Sequence, residues 1–298
     1  MKKISKIKKY LLDLGLIKEK NLGLYSKSTR DRKNLNVWID KITKVIFIDD
    51  YYVGDGEYKS GYYKQEKKNL TGNPSFERKM DLERRVKLFL PKLKNKTVVD
   101  IGCKEGEFLK AIKNVSGDVI GIDLDESSFS ELRKIGIICY NNLNKIENNS
   151  IDMAFFFHSF EHFDDPLLML KKTYKIIKPG GSIYIEVPHA KDILLNDLFI
   201  KEFKSFTLWS QHLILHTKES LSQMVSFCGY NSVEVTGVQR YPLSNHLYWL
   251  KEKKPGGHKS KLNFLDDKNL SLAYEKALIS NDSTDTLLLS AKKPFIKK

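Results

Sequence analysis

Thr97 to Asp125 constrains this chain more than any other stretch. It opens on a β-branched run, Thr97-Val98-Val99, that closes at Asp100. A loop carrying Gly102 and Gly106 follows, then an apolar-periodic segment with Phe108, Leu109 and Ile112. Gly117 interrupts it, and a second apolar run, Val119-Ile120-Gly121-Ile122, ends at Asp123. Strand, glycine loop, helix, strand and terminal carboxylate is the order of a nucleotide-binding βαβ unit. Gly102 and Gly106 lack a Cβ, so the backbone can pass close to a ligand. Asp123 can accept two hydrogen bonds from a ribose diol. The loop is not G-x-G-x-x-G, because Lys104 stands where a dinucleotide site wants its second glycine. That ranks NAD below other nucleosides. A generic α/β crossover with a tight turn is the bland alternative.

Asp100-Ile-Gly-Cys-Lys-Glu-Gly106 resembles the first motif of the class I methyltransferases that use S-adenosylmethionine. A later stretch resembles the same family: an apolar strand, then His158-Ser-Phe-Glu-His162-Phe-Asp-Asp-Pro166, then Lys178-Pro-Gly-Gly181. Together the two cover residues 97–187. The resemblance implies that the loop, from Asp100 through Gly102, Cys103 and Lys104 to Gly106, cradles the amino-acid end of the cofactor. It implies that Asp123 and Leu124 hold the ribose side. Asn142 and Leu143, at a third strand end, would bond a nucleobase edge, and His158 completes the set.

The chain of 298 residues can hold one α/β domain with additions. No apolar run approaches the roughly 20 residues needed to span a bilayer. Three well-separated cysteines, Cys103, Cys139 and Cys228, form no C-x-x-C pair, which fits a reduced, cytoplasmic setting. The net charge of +14 invites anionic partners. Lysine is nevertheless scattered, with no basic stripe interleaved with aromatics, so nucleic acid ranks below a small-molecule substrate.

Residues 1–20 show Ile4, Ile7, Tyr10, Leu11 and Leu14 at helical spacing. Such a basic amphipathic helix docks on its own protein or touches a membrane surface peripherally. Val37 to Ile48 predicts two strands about a turn near Asp40-Lys41. Tyr51, Tyr52, Tyr58, Tyr62 and Tyr63 then cluster among glycines, a loop that could cover a ligand. Ser75 to Leu90 predicts a helix stopped by Pro91. Residues 1–94 are thus expected to be an N-terminal extension and lid, and 95–298 the methyltransferase domain.

From Thr97 onward strands and helices alternate. The expectation is a Rossmann-like, doubly wound, mostly parallel seven-stranded sheet. Its strands fall at 97–100, 119–122, 137–140, 150–157, 182–187, 232–235 and 286–290. Between the last two, where the family usually makes a short hairpin, lies an insert of about 50 residues, 237–285.

His158-x-x-Glu161-His162 spells a zinc-peptidase pattern. A buried strand runs directly into it and Asp165-Pro166 starts the next helix only afterwards. The stretch therefore reads as a strand-end loop with no metal. Transfer of a sulfonium methyl to a hydroxyl needs a proton acceptor. His212 is the first choice and His162 the next. His212-Leu-Ile-Leu-His-Thr-Lys-Glu-Ser-Leu221 resembles the acceptor-site context of sugar-modifying members of the family. In the insert, Arg240 could clamp a phosphate or carboxylate. Tyr241 and Trp249 could stack on a sugar, and Asn245 lies between them. A homodimer interface would use the same aromatics. The expected activity is methyl transfer to a small polar acceptor, preferably to a hydroxyl or carbon of a nucleotide-linked sugar or surface-glycan precursor. Methylation of RNA or protein, or a non-catalytic scaffold, are the alternatives.

Overall fold

The computed structural model describes residues 6–60 and 75–295. The chain begins with α1 (Ile7–Asp13), β1 (Leu22–Ser26), β2 (Val37–Asp40), β3 (Ile46–Ile48) and α2 (Asp55–Lys59). Then come α3 (Ser75–Phe89), β4 (Val98–Ile101), α4 (Glu107–Ile112), β5 (Val119–Ile122), α5 (Phe129–Lys134) and β6 (Ile138–Tyr140). β7 (Ile151–Phe157), α6 (Pro166–Ile176), β8 (Ile177–Pro188), α7 (Lys201–Thr207) and β9 (Ile214–Leu215) follow. The last elements are α8 (Lys218–Phe227), β10 (Asn231–Val238), α9 (Leu243–Glu252), α10 (Lys268–Ser280) and β11 (Thr286–Lys292).

Seven strands make one sheet in the order β10-β11-β8-β7-β4-β5-β6. The pairs β4·β5, β4·β7, β5·β6 and β7·β8 are parallel, and β11 runs antiparallel to both its neighbours. This is the doubly wound sheet expected from the alternation of strands and helices. β7 shows why it needs helices on both faces. Ala154 and Phe156 point into one cluster, with Leu167 and Leu170 of α6 and Leu221, Met224 and Val225 of α8. Met153, Phe155 and Phe157 point into the other, with Phe89 of α3, Phe108, Leu109 and Ile112 of α4 and Phe129 of α5. A strand buried on both faces must be apolar where it is enclosed, as this one is from Met153 to Phe157. Each Phe enclosed there stabilises the fold by about 1.5–3 kcal/mol of transfer free energy.

Local signals set the ends of the elements. Asp165 caps α6 by accepting from the Leu168 N–H, with Pro166 at the first helical position. Thr217 and Ser220 form a reciprocal capping box on α8. One boundary differs from expectation. Lys178 to Gly181, read as the loop before strand five, lies inside β8, which starts at Ile177.

The N-terminal residues build a second, antiparallel sheet, β1-β2-β3-β9. The hairpin of β2 and β3 was legible. β1 was not, nor was β9, two residues from beyond β8 that pair with Ile46 and Phe47. This sheet shares a core with the larger one. Ile7, Leu11, Val45, Phe47 and Tyr52 join the cluster that holds Val99 and Phe156. The apolar face of α1 is therefore spent on the protein's own core, and Tyr10 and Lys6 bond the Asp165 carboxylate. Among the described residues no helix is long and apolar enough to cross a membrane.

Candidate active site

The carboxyl ends of the parallel strands open into a cleft of about 1260 Å³. Single-ligand pockets occupy about 300–1,000 Å³, so this one has room for a cofactor and an acceptor together. The glycine loop forms one wall. Gly102 and Gly106 have φ of 86° and 67°, the left-handed region. A Cβ on Gly102 would also lie 2.5 Å from the Cβ of Ser159. Lys104 takes the same conformation with φ 52°, so the departure from glycine is met by strain rather than by a different loop. Its N–H donates to Asp123 Oδ2 at 2.8 Å, and the Asp125 N–H donates to Oδ1 at 2.9 Å. The acid at the end of β5 thereby braces the loop at the end of β4. An L-residue held left-handed costs about 1–2 kcal/mol, partly offset in the unfolded chain by its lower entropy than glycine. Lys104→Gly is accordingly expected to stabilise the protein by about 0.5–1 kcal/mol. A lower thermal midpoint for that variant would contradict this account of the loop.

Asp100 lies at the end of β4, 4% exposed, with Oδ1 buried and unbonded. Burial raises its carboxyl to about 7; Arg85 opposes the rise and Asp123 adds to it. A buried carboxylate facing a cleft suits the ammonium of an amino acid. Cys103 and Leu143, both buried, line the cleft together with Leu124 and Asn142. Asn142 spends its side-chain oxygen capping the turn at Leu143. The cluster of Asp100, two left-handed glycines and a second-strand acid fits S-adenosylmethionine.

The adjoining wall starts where β7, the neighbour of β4, ends. His158 sits at φ 51°, and Phe160–His162 form a short 3-10 turn before α6. The stretch is thus a strand-end loop, as expected. Glu161 is fully buried. Burial pushes its carboxyl up, but His158, then His162 and His212, outweigh that and hold it below the usual range. His158 bridges two buried acids, with Nδ1 3.5 Å from Glu161 Oε1 and Nε2 3.3 Å from Glu186 Oε1. His162 and His212 meet edge-on at 5.1 Å, each also edge-on to Trp209. Both candidates for the base therefore lie in one group, and burial first and then His162 push His212 well below the usual histidine range. Tyr58 was named in the sequence only as part of a loop that could cover a ligand; its hydroxyl lies 3.5 Å from His162 Nδ1, a contact the sequence did not show. Its place in a Tyr-rich loop was the only signal. Tyr62 and Tyr63 lie outside the described residues.

The insert closes the far side, and its residues are more committed than expected. The Arg240 guanidinium donates from Nε to Asp81 Oδ1 at 2.9 Å and from Nη2 to Oδ2. It ties the insert to α3 instead of standing free for a phosphate. Trp249 is 2% exposed, packed against Phe203 and Phe206, so it offers no open stacking face. Asn245 Oδ1 accepts from the Gly256 and Gly257 N–H groups. Tyr241 remains half-buried on the cleft wall, and the Asp285 carboxylate accepts from its N–H and from that of Arg240. Removing one partner of a wholly buried ion pair costs about 3–5 kcal/mol. Arg240 and Asp81 keep some contact with water, so Asp81→Ala is expected to cost about 2 kcal/mol. Urea unfolding measures it, and an Asp81→Ala/Arg240→Met double variant should recover most of the loss. Unchanged stability of the single variant would show that the pair is not a structural tie.

Comparison with known proteins agrees with this geometry. The sequence matches a family described as a methyltransferase domain over residues 76–235, more than half of the chain. A ubiquinone biosynthesis O-methyltransferase of Acinetobacter baylyi is 22% identical over 174 residues, 53% of this chain and 72% of that protein. Phosphoethanolamine N-methyltransferase 1 of Triticum aestivum is 27% identical over 146 residues, 43% of this chain but only 29% of that protein. A SAM-dependent methyltransferase structure from Archaeoglobus fulgidus matches with a TM-score of 0.52 at 18% identity, over 78% of this chain and 100% of its own. With the glycine loop, the strand-end acid and the seven-stranded sheet, these matches establish that the chain belongs to the class I methyltransferases that use S-adenosylmethionine.

Proposed function

We propose that the protein transfers the methyl group to a hydroxyl of a small polar acceptor, with a nucleotide-linked sugar or surface-glycan precursor as the preferred class. The observation that carries this reading is the group of Glu161, His162 and His212, gathered in the cleft beside the glycine loop. When bound, the cofactor supplies an electrophilic methyl carbon on a sulfonium. Asp100 would hold its ammonium, Asp123 its ribose diol, and Asn142 with Leu143 the base end. The chain's remaining task is to bring an oxygen in line with that carbon and dispose of its proton. The imidazoles of His162 and His212 suit that end of the cleft. Tyr52 and Tyr58, from the N-terminal residues, line the same space and are proposed to act as part of a lid that excludes water. The insert supplies the acceptor wall through Tyr241 and the helix α9. A concave cleft at the strand ends suits a small molecule better than the flat face of a folded protein. The three cysteines are unpaired and buried, which accords with a reducing compartment.

The decisive experiment is mass spectrometry of nucleotide-sugar pools incubated with the protein and methyl-labelled cofactor. A labelled sugar nucleotide whose methyl sits on oxygen is the expected product. Label found only in RNA, protein or an amine would overturn the acceptor class.

A further inference from the structure

Glu161 poses a physical problem that methyl transfer by itself does not answer. Its side chain is wholly buried, and beyond the long 3.5 Å contact of His158 Nδ1 with Oε1 its carboxylate oxygens have no hydrogen-bond partner. A carboxylate enclosed in that way costs several kcal/mol unless a cation compensates it. The groups around it are the imidazoles of His158, His162 and His212, with Lys104 of the glycine loop also in electrostatic reach. His162 Nε2 lies 3.9 Å from Glu161 Oε1. His212 keeps Nδ1 buried without a hydrogen bond. One donor atom from each of Glu161, His162 and His212 lies within 4.8 Å of the other two. We propose that Glu161, His162 and His212 bind a divalent first-row transition-metal ion whose open positions face the acceptor.

The donor set selects the class of ion. Two imidazole nitrogens and one carboxylate oxygen suit Mn²⁺, Fe²⁺, Co²⁺ or Zn²⁺ better than Mg²⁺ or Ca²⁺, which take oxygen ligands. Bonds of about 2.1 Å place adjacent donors about 3 Å apart and opposite ones about 4.2 Å apart. The His162 Nε2–Glu161 Oε1 separation of 3.9 Å falls between those two values. The outer contacts orient the donors in the way such sites require. In the tautomer whose Nδ1–H donates to the Tyr58 oxygen, 3.5 Å away, the Nε2 lone pair is the one available to an ion. His158 holds Glu161 from the other side. The metal reading of H-x-x-E-H fails in the sequence because His158 and His162 share no helix. This site does not need one. It uses Glu161 and His162 from the turn, and its third donor is His212, from the loop before β9.

The role of the ion in catalysis rests on the hydroxyl-acceptor reading above, whereas its binding does not. With the ion in place, the acceptor O–H releases its proton to solvent. The oxygen forms its bond to the methyl carbon, and the carbon–sulfur bond breaks with its electron pair left on sulfur. The sulfonium becomes a neutral sulfide, so charge and atoms balance. The ion lowers the cost of the first event as a Lewis acid.

The test reads binding first, without acceptor. Untagged full-length protein is stripped with EDTA, dialysed and titrated with Mn²⁺, following loss of the free-ion electron paramagnetic resonance signal and the heat of binding. One ion per chain is expected. Glu161→Gln, isosteric and so the variant that disturbs the fold least, and His212→Gln should each weaken it about tenfold or more. No saturable binding of Mn²⁺, Co²⁺ or Zn²⁺ to the wild-type protein overturns the site. So does binding that neither substitution changes. Once an acceptor is known, full turnover in EDTA would overturn the ion's catalytic role, while absence of any hydroxyl product would instead sink the acceptor reading and leave the measured site standing.

Discussion

His212→Gln is expected to lower turnover by about 10² to 10⁴ while leaving cofactor affinity nearly unchanged. The ring is fixed before any ligand arrives. Its backbone N–H donates to the Trp209 carbonyl at 2.9 Å, and the imidazole stands edge-on to Trp209 at 5.2 Å and to His162 at 5.1 Å. Packing of this kind holds the ring at the place where the proposed reaction would set the acceptor oxygen. Glutamine roughly conserves volume and polarity, so the aromatic surround should survive the change. It removes the imidazole nitrogen, which either takes the acceptor's proton or holds the cation that weakens the O–H bond. Both roles act in the transition state, so kcat should fall with little change in cofactor binding. The cofactor wall, Asp100 to Asp123, is a separate set of residues on other strand ends. Calorimetry with the cofactor and steady-state kinetics with the acceptor separate the two. Wild-type turnover by His212→Gln would remove this ring from the acceptor chemistry and direct attention to His162.

The parts of the molecule that could be read from sequence are those built by near neighbours. The βαβ unit was legible because each strand end, glycine and helix face lies within 30 residues of the next, and every local signal points the same way. The caps at Asp165 and Thr217 were legible for the same reason. What escaped depends on distant partners. β9 is only Ile214 and Leu215, and it is a strand because Ile46 and Phe47 lie beside it. Arg240 has the chemistry of a phosphate clamp, and nothing near it in sequence says that Asp81, on α3, already occupies it. Trp249 reads as a stacking platform until Phe203 and Phe206 are seen to enclose it. The acid and imidazoles of the acceptor wall were each visible as residue types. Their convergence was not, because His212 arrives after a strand, a loop and a helix.

Asp100→Asn is expected to weaken cofactor binding by about 1.5–3 kcal/mol, roughly 10- to 150-fold, and to abolish its pH dependence between pH 6 and 8. The carboxyl is buried with Oδ1 unbonded, and its pKa stands at about 7, raised chiefly by burial. Without ligand the group is therefore half protonated near neutrality. A cofactor bearing an ammonium selects the ionised form and returns a counter-charge to it. Binding must then displace a proton below pH 7, and affinity falls with falling pH. For a single group at pKa 7 the ionised fraction drops from about nine-tenths at pH 8 to about one-tenth at pH 6. That is close to tenfold in affinity, or about 1.4 kcal/mol. The linkage has the opposite sign for the ligand-free fold. A raised carboxyl pKa means that the native state keeps a proton the unfolded chain has released, so this group costs stability as pH rises from about 4 to 7. The cofactor should thus raise the thermal midpoint more at pH 8 than at pH 6, and Asp100→Asn should flatten that difference. Calorimetry in two buffers of different ionisation enthalpy counts the released proton directly. Equal affinity at pH 6 and pH 8 in the wild-type protein would show that Asp100 does not hold the ammonium.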